Sequence, residues 1–189
     1  MKNKPELLAP AGNMERLKTA VHFGADAVYI GTTAFSLRNL ADNFTLDEVA
    51  EAVKYCHERN VRVYVTVNAF MRDEGLTNLP ETIAALDKAG VDALIINDPS
   101  VIRIARRVAP SLSLHLSTQA NTLNSEAALF WHEQGIERIV LARELTLGEI
   151  KEMRKKLPET LELEAFVHGA MCVSYSGRCL LSNYIAGRD

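Results

Sequence analysis

Cysteine is scarce: three in 189 residues cannot build a paired disulfide framework. That removes the small secreted scaffold from consideration and fits a reducing, cytoplasmic setting. Long apolar runs are missing as well, and none approaches the roughly 18–20 residues that a membrane helix needs. The start, Met1 to Pro5, is charged but leads only into Leu7-Leu8-Ala9, too short a run for a signal peptide. Secretion and a membrane partner are not expected. Charge of one sign is also lacking, because the net charge is −3, so bulk charge argues neither for nor against nucleic acid. Aromatics are few at 6%, yet 48% hydrophobic residues supply one large core. The chain is short for two full domains and has no Pro/Gly/Ser linker.

What the sequence does contain is alternation. Short β-rich runs lie at Glu6–Ala9, Ala27–Gly31, Arg62–Asn68, Ala93–Asn97, Ser113–Thr118, Arg138–Ala142 and Glu162–His168. Between them apolar residues recur at helical spacing, as at Val49, Ala52, Val53 and Cys56. Thr45-Leu-Asp-Glu48 and Thr146-Leu-Gly-Glu149 are capping boxes, and Asp98-Pro99 puts a cap before a first-turn proline. Gly24, Asn60, Gly90 and Gly135 stand where helices close in the left-handed region. Three of these endings form a weak repeat of glycine, acid, then buried strand: Gly24 to Ile30, Gly90 to Ile96 and Gly135 to Leu141. The unequal spacing excludes a fixed-period solenoid and suits a parallel α/β sheet.

Strict alternation leaves an open doubly wound sheet or a (β/α) barrel. In the fifth strand His115, Ser117 and Gln119 share one parity, opposite Leu114 and Leu116. In the seventh, Glu162, Glu164 and His168 oppose Leu163, Ala165 and Val167. A sheet covered on both faces is apolar on both parities, whereas a polar inner parity suits a barrel with chemistry in its interior or mouth. The expected fold is therefore α/β, a TIM-type (β/α) barrel. One domain spans 1–189, with the cysteine-containing loop 169–189 at the mouth. An eight-stranded barrel takes about 250 residues, so these seven strands are read as the N-terminal part of a truncated barrel. A barrel missing its last unit exposes its first and seventh strands, and the chain is expected to associate with itself through edge pairing or exchange of elements, or else to close the gap with its own C-terminal loop.

Barrel chemistry gathers at the C-terminal ends of strands. On that ground His115, Gln119, Asn68, Arg143 and His168 are the candidate catalytic residues. His115 and His168 read equally well as acid–base groups or as hydrogen-bonded interior histidines, and Asp98 is also simply a helix cap. Glu6 and Tyr29 suit hydrogen bonding inside the barrel, while His22, His57 and His132 fall on helices and are expected to be solvated. Cys172 and Cys179 are separated by six residues, which matches no zinc ribbon and no thioredoxin-type motif. They fit half the ligands of an iron–sulfur cluster or two inert thiols, and a Cys172 nucleophile with His168 as its base is a third reading.

The stretch Glu164-Ala-Phe166-Val-His168-Gly169-Ala-Met-Cys172-Val-Ser-Tyr-Ser-Gly177-Arg178-Cys179-Leu-Leu-Ser182 resembles the signature of the collagenase-like peptidases of unknown catalytic type (class U, family 32), and every position of that pattern is matched. Glu6 to Gly12, Gly24 to Tyr29, His115 to Asn121 and Leu141 to Leu145 are similar to the same family, so the resemblance spans the whole chain. It implies an RNA-modifying enzyme, foremost an oxygen-independent tRNA uridine hydroxylase that makes 5-hydroxyuridine on a tRNA or other RNA substrate. The alternative within the family is a collagenase-like peptidase. The resemblance further implies a [4Fe–4S] cluster with Cys172 and Cys179 as two of four ligands, and prephenate as hydroxyl source. The remaining ligands follow a Gly-Arg-Asp like Gly187–Asp189, so this chain is expected to hold no intact cluster by itself, and the isolated fragment is expected to be inactive.

Overall fold

Seven short parallel strands pair in the order in which they occur: β1 (Leu8–Pro10), β2 (Ala27–Gly31), β3 (Arg62–Val67), β4 (Ala93–Ile96), β5 (Ser113–Leu116), β6 (Arg138–Val140) and β7 (Glu162–Glu164). The computed structural model describes residues 4–33, 35, 43–169 and 174–175. Helices fill the connections: α1 (Met14–His22), α2 (Leu46–His57), α3 (Asp73–Leu76), α4 (Leu79–Ala89), α5 (Pro99–Val108), α6 (Ser125–Glu133) and α7 (Leu147–Lys155). No helix among the described residues is long and apolar enough to cross a membrane.

Local chemistry starts and stops these helices as the sequence predicts. Thr45 accepts from Glu48 N while Glu48 Oε2 accepts from Thr45 N, and Thr146 with Glu149 repeats the box. Asp98 Oδ1 takes the Ser100 amide at 2.8 Å, just before the Pro99 turn. Gly90 closes α4 at φ 82°, where a side chain would be strained, and Asn60 follows α2 at φ 57°.

The weak repeat acquires a physical meaning here. Asp26 donates its amide to Leu7 O and accepts the Leu7 amide on Oδ2 at 2.8 Å. Asp92 does the same with Val63, accepting its amide at 2.7 Å. Glu137, one methylene longer, donates to Leu114 O and takes the Ser113 hydroxyl at 2.9 Å instead. The acid after each glycine thus ties the entrance of β2, β4 or β6 to the strand before it.

The sheet separates two cores. Outward residues such as Val28, Ile30, Val63, Val65, Leu94, Ile96, Leu114 and Ile139 pack with Leu17, Val49, Ile83 and Val101 of the helices. Inward residues Ala27, Tyr64, Ala93 and Ile95 form a smaller cluster with Leu8 and Tyr29. Cys56 belongs to the outer core, fully buried. Glu6, just ahead of β1, accepts from Arg138 of β6 at 2.6 Å. Five strand spacings of roughly 4.8 Å would part them by about 24 Å in a flat sheet, so the sheet is curled into an incomplete barrel.

Strand lengths differ from the sequence expectation at one end. β5 stops at Leu116 because the Ser117 hydroxyl caps a 3-10 turn, Thr118–Ala120. β7 stops at Glu164, so His168 lies four residues beyond it, exposed. His57 and His132 are tied rather than merely solvated. His57 Nε2 lies 2.9 Å from Asp92 Oδ2, and His132 Nδ1 lies 3.0 Å from Ile136 O.

Candidate functional site at the mouth of the barrel

The first polar residues past the apolar strands form a connected rim. Asn68 follows β3 and Asn97 follows β4. Asn97 Nδ2 donates to Asn68 O at 3.1 Å and to Gln119 Oε1 at 3.3 Å. Gln119 is buried in the 3-10 turn beyond β5, where Ser117 Oγ lies 3.4 Å from Oε1. Thr118 Oγ1 then donates to Leu141 O at 3.0 Å, and Ala142 N to Thr122 O at 3.4 Å, which carries the chain of contacts to Arg143 beyond β6.

This rim concentrates unmet hydrogen-bonding capacity. Among the described residues Thr32 Oγ1, Asn68 Oδ1, Asn97 Oδ1, Asn121 Oδ1, Thr122 Oγ1 and Arg143 Nη2 are buried and have no hydrogen-bond partner. Each unmet buried group costs about 1–3 kcal/mol, more for a charged one. Such atoms are normally rare, so six along the ends of β2 to β6 set this edge of the barrel apart.

Deeper in the barrel lies a charged layer. Arg138 is 7% exposed; Nε donates to Glu162 at 2.7 Å and Nη1 to Glu6 at 2.6 Å. Arg62 pairs with Glu6 from the other side, and Tyr64 Oη donates to Glu6 at 2.9 Å. Burial works against the Arg138 charge, but Glu6, Tyr64 and Glu162 hold it protonated. Glu164 Oε2 makes a long ion pair with Arg138 Nη1 at 3.6 Å, and burial, opposed by that pair, pushes its carboxyl up to about 7. A cavity of about 360 Å³ opens on this layer at the entrance end of the strands, lined by Arg62, Tyr64, His115, Arg138 and Glu162 among others. It is at the end opposite the mouth.

The sequence candidates therefore separate. Asn68 and Gln119 join one hydrogen-bonded group through Asn97, and Arg143 is on the same rim. His115 sits lower, 4% exposed, its ring edge-on to Tyr64 at 4.7 Å between centroids. Burial, aided by Arg138 and Arg62, pushes it down to about 3, so it is neutral at physiological pH. Exposed His168 has no described part in the group. Cys172 and Cys179 lie outside the described residues, as does most of the loop 169–189. Among the described residues no group of three His, Cys, Asp or Glu could hold a metal. Cys56 offers no ligand, because burial raises its thiol to about 11.

Sequence reasoning did not single out Thr32, Asn97, Asn121, Thr122 or Glu164. For Thr32, Asn68 and Asn97 a signal existed: each is the first polar residue after its apolar run. Glu164 shared the inward parity with Glu162, but parity says nothing about which carboxyl finds an arginine.

Relatives share this frame. The chain is 50% identical over 186 residues to tRNA hydroxylation protein P1 of Bacillus subtilis (strain 168), covering 98% of this chain and 44% of that protein. It is 48% identical over 187 residues to tRNA hydroxylation protein P of Helicobacter pylori (strain ATCC 700392 / 26695), covering 98% and 44%. The chain thus spans less than half the length of these relatives. In three dimensions it resembles the U32 peptidase Mk0906, with a TM-score of 0.71 at 18% identity over 87% of this chain and 69% of that one, a likeness of fold. The sequence profile of peptidase family U32 matches residues 12–189. A profile that starts just after β1 and runs to Asp189 takes in the ends of β2 to β6 that build the rim, and the chain belongs to peptidase family U32.

Proposed function

We propose that this chain forms the barrel part of an enzyme that hydroxylates tRNA. The observation that carries this reading is the rim of buried, unpartnered polar atoms at the strand ends, where barrel enzymes act. Relatives named tRNA hydroxylation proteins support tRNA as the substrate. The finer reading is oxygen-independent conversion of a uridine to 5-hydroxyuridine, with prephenate as the hydroxyl source. In the relatives' full length a [4Fe–4S] cluster would take Cys172 and Cys179 as two ligands. Two thiols are half of the usual four, and the described residues supply no third. The peptidase alternative would put the nucleophile at Cys172.

The test uses the full-length protein. Deleting its gene and digesting total tRNA to nucleosides for mass spectrometry should abolish the hydroxylated uridine. A version with Arg143→Gln should restore less than a tenth of it, since a buried guanidinium is worth roughly 1.5–3 kcal/mol per hydrogen bond. Unchanged tRNA together with loss of a peptide cleavage would replace this reading with the peptidase one.

Self-association is part of the proposal. Among the described residues β1 pairs with β2 alone and β7 with β6 alone, so each has a free edge. Light scattering of the 189-residue chain should read a dimer or larger. A stable monomer at micromolar concentration would overturn this.

A further inference from the structure

We propose that the cavity at the entrance end of the barrel binds a small amino alcohol, its ammonium on the carboxylates of Asp92, Glu137 and Glu162 and its hydroxyl on Nε2 of His115. This site lies at the end opposite the rim and does not depend on the tRNA reading.

The space is of ligand size, about 360 Å³, within the usual range for small-molecule sites. Its uncommitted charge is negative. Both arginines on its wall are already answered, Arg138 by Glu6 and Glu162, and Arg62 by Glu6. The three carboxylates at the entrance are only half used. Asp92 Oδ2 accepts the Val63 amide at 2.7 Å, Glu137 Oε2 accepts the Ser113 hydroxyl at 2.9 Å, and Glu162 Oε2 accepts from Arg138. Their second oxygens accept no hydrogen bond among the described residues. Glu137 and Glu162 are exposed, so a ligand reaches them without any side chain moving aside. Three acceptor oxygens suit an ammonium, which carries three N–H donors and no acceptor.

An acidic entrance alone would only gather salt, and His115 makes it a site. The residue is 4% exposed, lines the cavity and makes no hydrogen bond among the described residues. Nδ1 is closed off, which leaves Nε2 as the nitrogen open to the cavity. Burial, then the guanidiniums of Arg138 and Arg62, keep the ring neutral, and those guanidiniums repel a second cation at that depth. A hydroxyl fits there, because it donates to a bare Nε2 or accepts from Nε2–H. Ser113, at the level of Glu137, stands two residues before His115 on β5. That is about 7 Å along a strand, roughly the span of a five-carbon chain.

The experiment is titration of the isotope-labelled 189-residue chain with aminopentanol, its ammonium and hydroxyl at opposite chain ends, read by NMR of the His115 ring nitrogens and backbone amides. His115 Nε2 and the Ser113 and Glu137 amides should move saturably in the millimolar range, while Asn68 and Asn97 at the rim stay still. Pentanediol should bind about tenfold more weakly for want of the charge. His115→Phe keeps the ring against Tyr64; it should cost about fivefold and erase the advantage of aminopentanol over pentylamine. Glu137→Gln, an exposed change that leaves the buried charged layer intact, should weaken aminopentanol about threefold and leave pentanediol unaffected. Pentanediol binding as tightly as aminopentanol would overturn the role of the carboxylates. Aminopentanoate binding as tightly would put a carboxylate on Arg62 and overturn the ligand class. An Nε2 signal unmoved at saturation, or the absence of any saturable shift, would overturn the site.

Discussion

Replacing Arg138 by methionine should cost about 3–5 kcal/mol of folding free energy, the usual penalty for removing one partner of a buried ionic group. Its guanidinium is 7% exposed and serves Glu6 at 2.6 Å and Glu162 at 2.7 Å, with Glu164 at 3.6 Å. Methionine fills much of the volume but leaves these carboxylates with Arg62 as the remaining cation. The Glu6 side chain is 14% exposed and Glu164 20%, so water replaces the lost partner only in part. Urea unfolding gives the measurement. The charge argument makes a second demand: adding Glu6→Gln to the methionine variant should recover part of the loss, so the two effects are not additive. A cost below about 1 kcal/mol, or strict additivity, would show that the layer does not hold the curled sheet together.

Glu164→Gln should gain on the wild type as pH rises, by on the order of 3 kcal/mol between pH 4 and pH 8. In the unfolded chain this carboxyl ionises near 4.5; in the barrel, burial raises it to about 7, with Glu6 and Glu162 adding and Arg138 opposing. Between those values folding takes up a proton, so this group's contribution to stability falls with rising pH and levels off above 7. His115 carries the opposite sign. Burial, then Arg138 and Arg62, lowers it from 6.5 to about 3, so stability is lost as pH falls through that range. From 4.5 to 6.5 the two slopes oppose each other and nearly cancel. The wild type should therefore show a plateau there, while Glu164→Gln shows stability climbing with pH. Urea midpoints at half-unit pH steps decide it, and a plateau that survives the substitution would mean that Glu164 does not titrate in that window.

Much of the mouth was legible as position and little of it as contact. Asn68, Gln119 and Arg143 stand at or just past the end of a β-rich run, and the rim contains all three. His168 was chosen on the same ground, but β7 ends at Glu164 and leaves it exposed. His115 was legible as inward-facing. That it is neutral depends on Arg62, Arg138 and the depth of its burial, none of which a strand pattern contains.

By itself the sequence determined the alternation of strands and helices, where helices begin and end, and membership of the family whose signature runs from Glu164 to Ser182. These are local properties: caps act over three residues, periodicity over a dozen, and a signature over twenty. Only the tertiary structure decided that Glu6 meets Arg138 across 132 positions, that Asn97 joins Asn68 to Gln119, and that Glu164 is left at the far end of the Arg138 ion-pair group. Those outcomes depend on how far the sheet curls. Curling sets which inward side chains from non-adjacent strands reach one another, and no short-range pattern carries that distance.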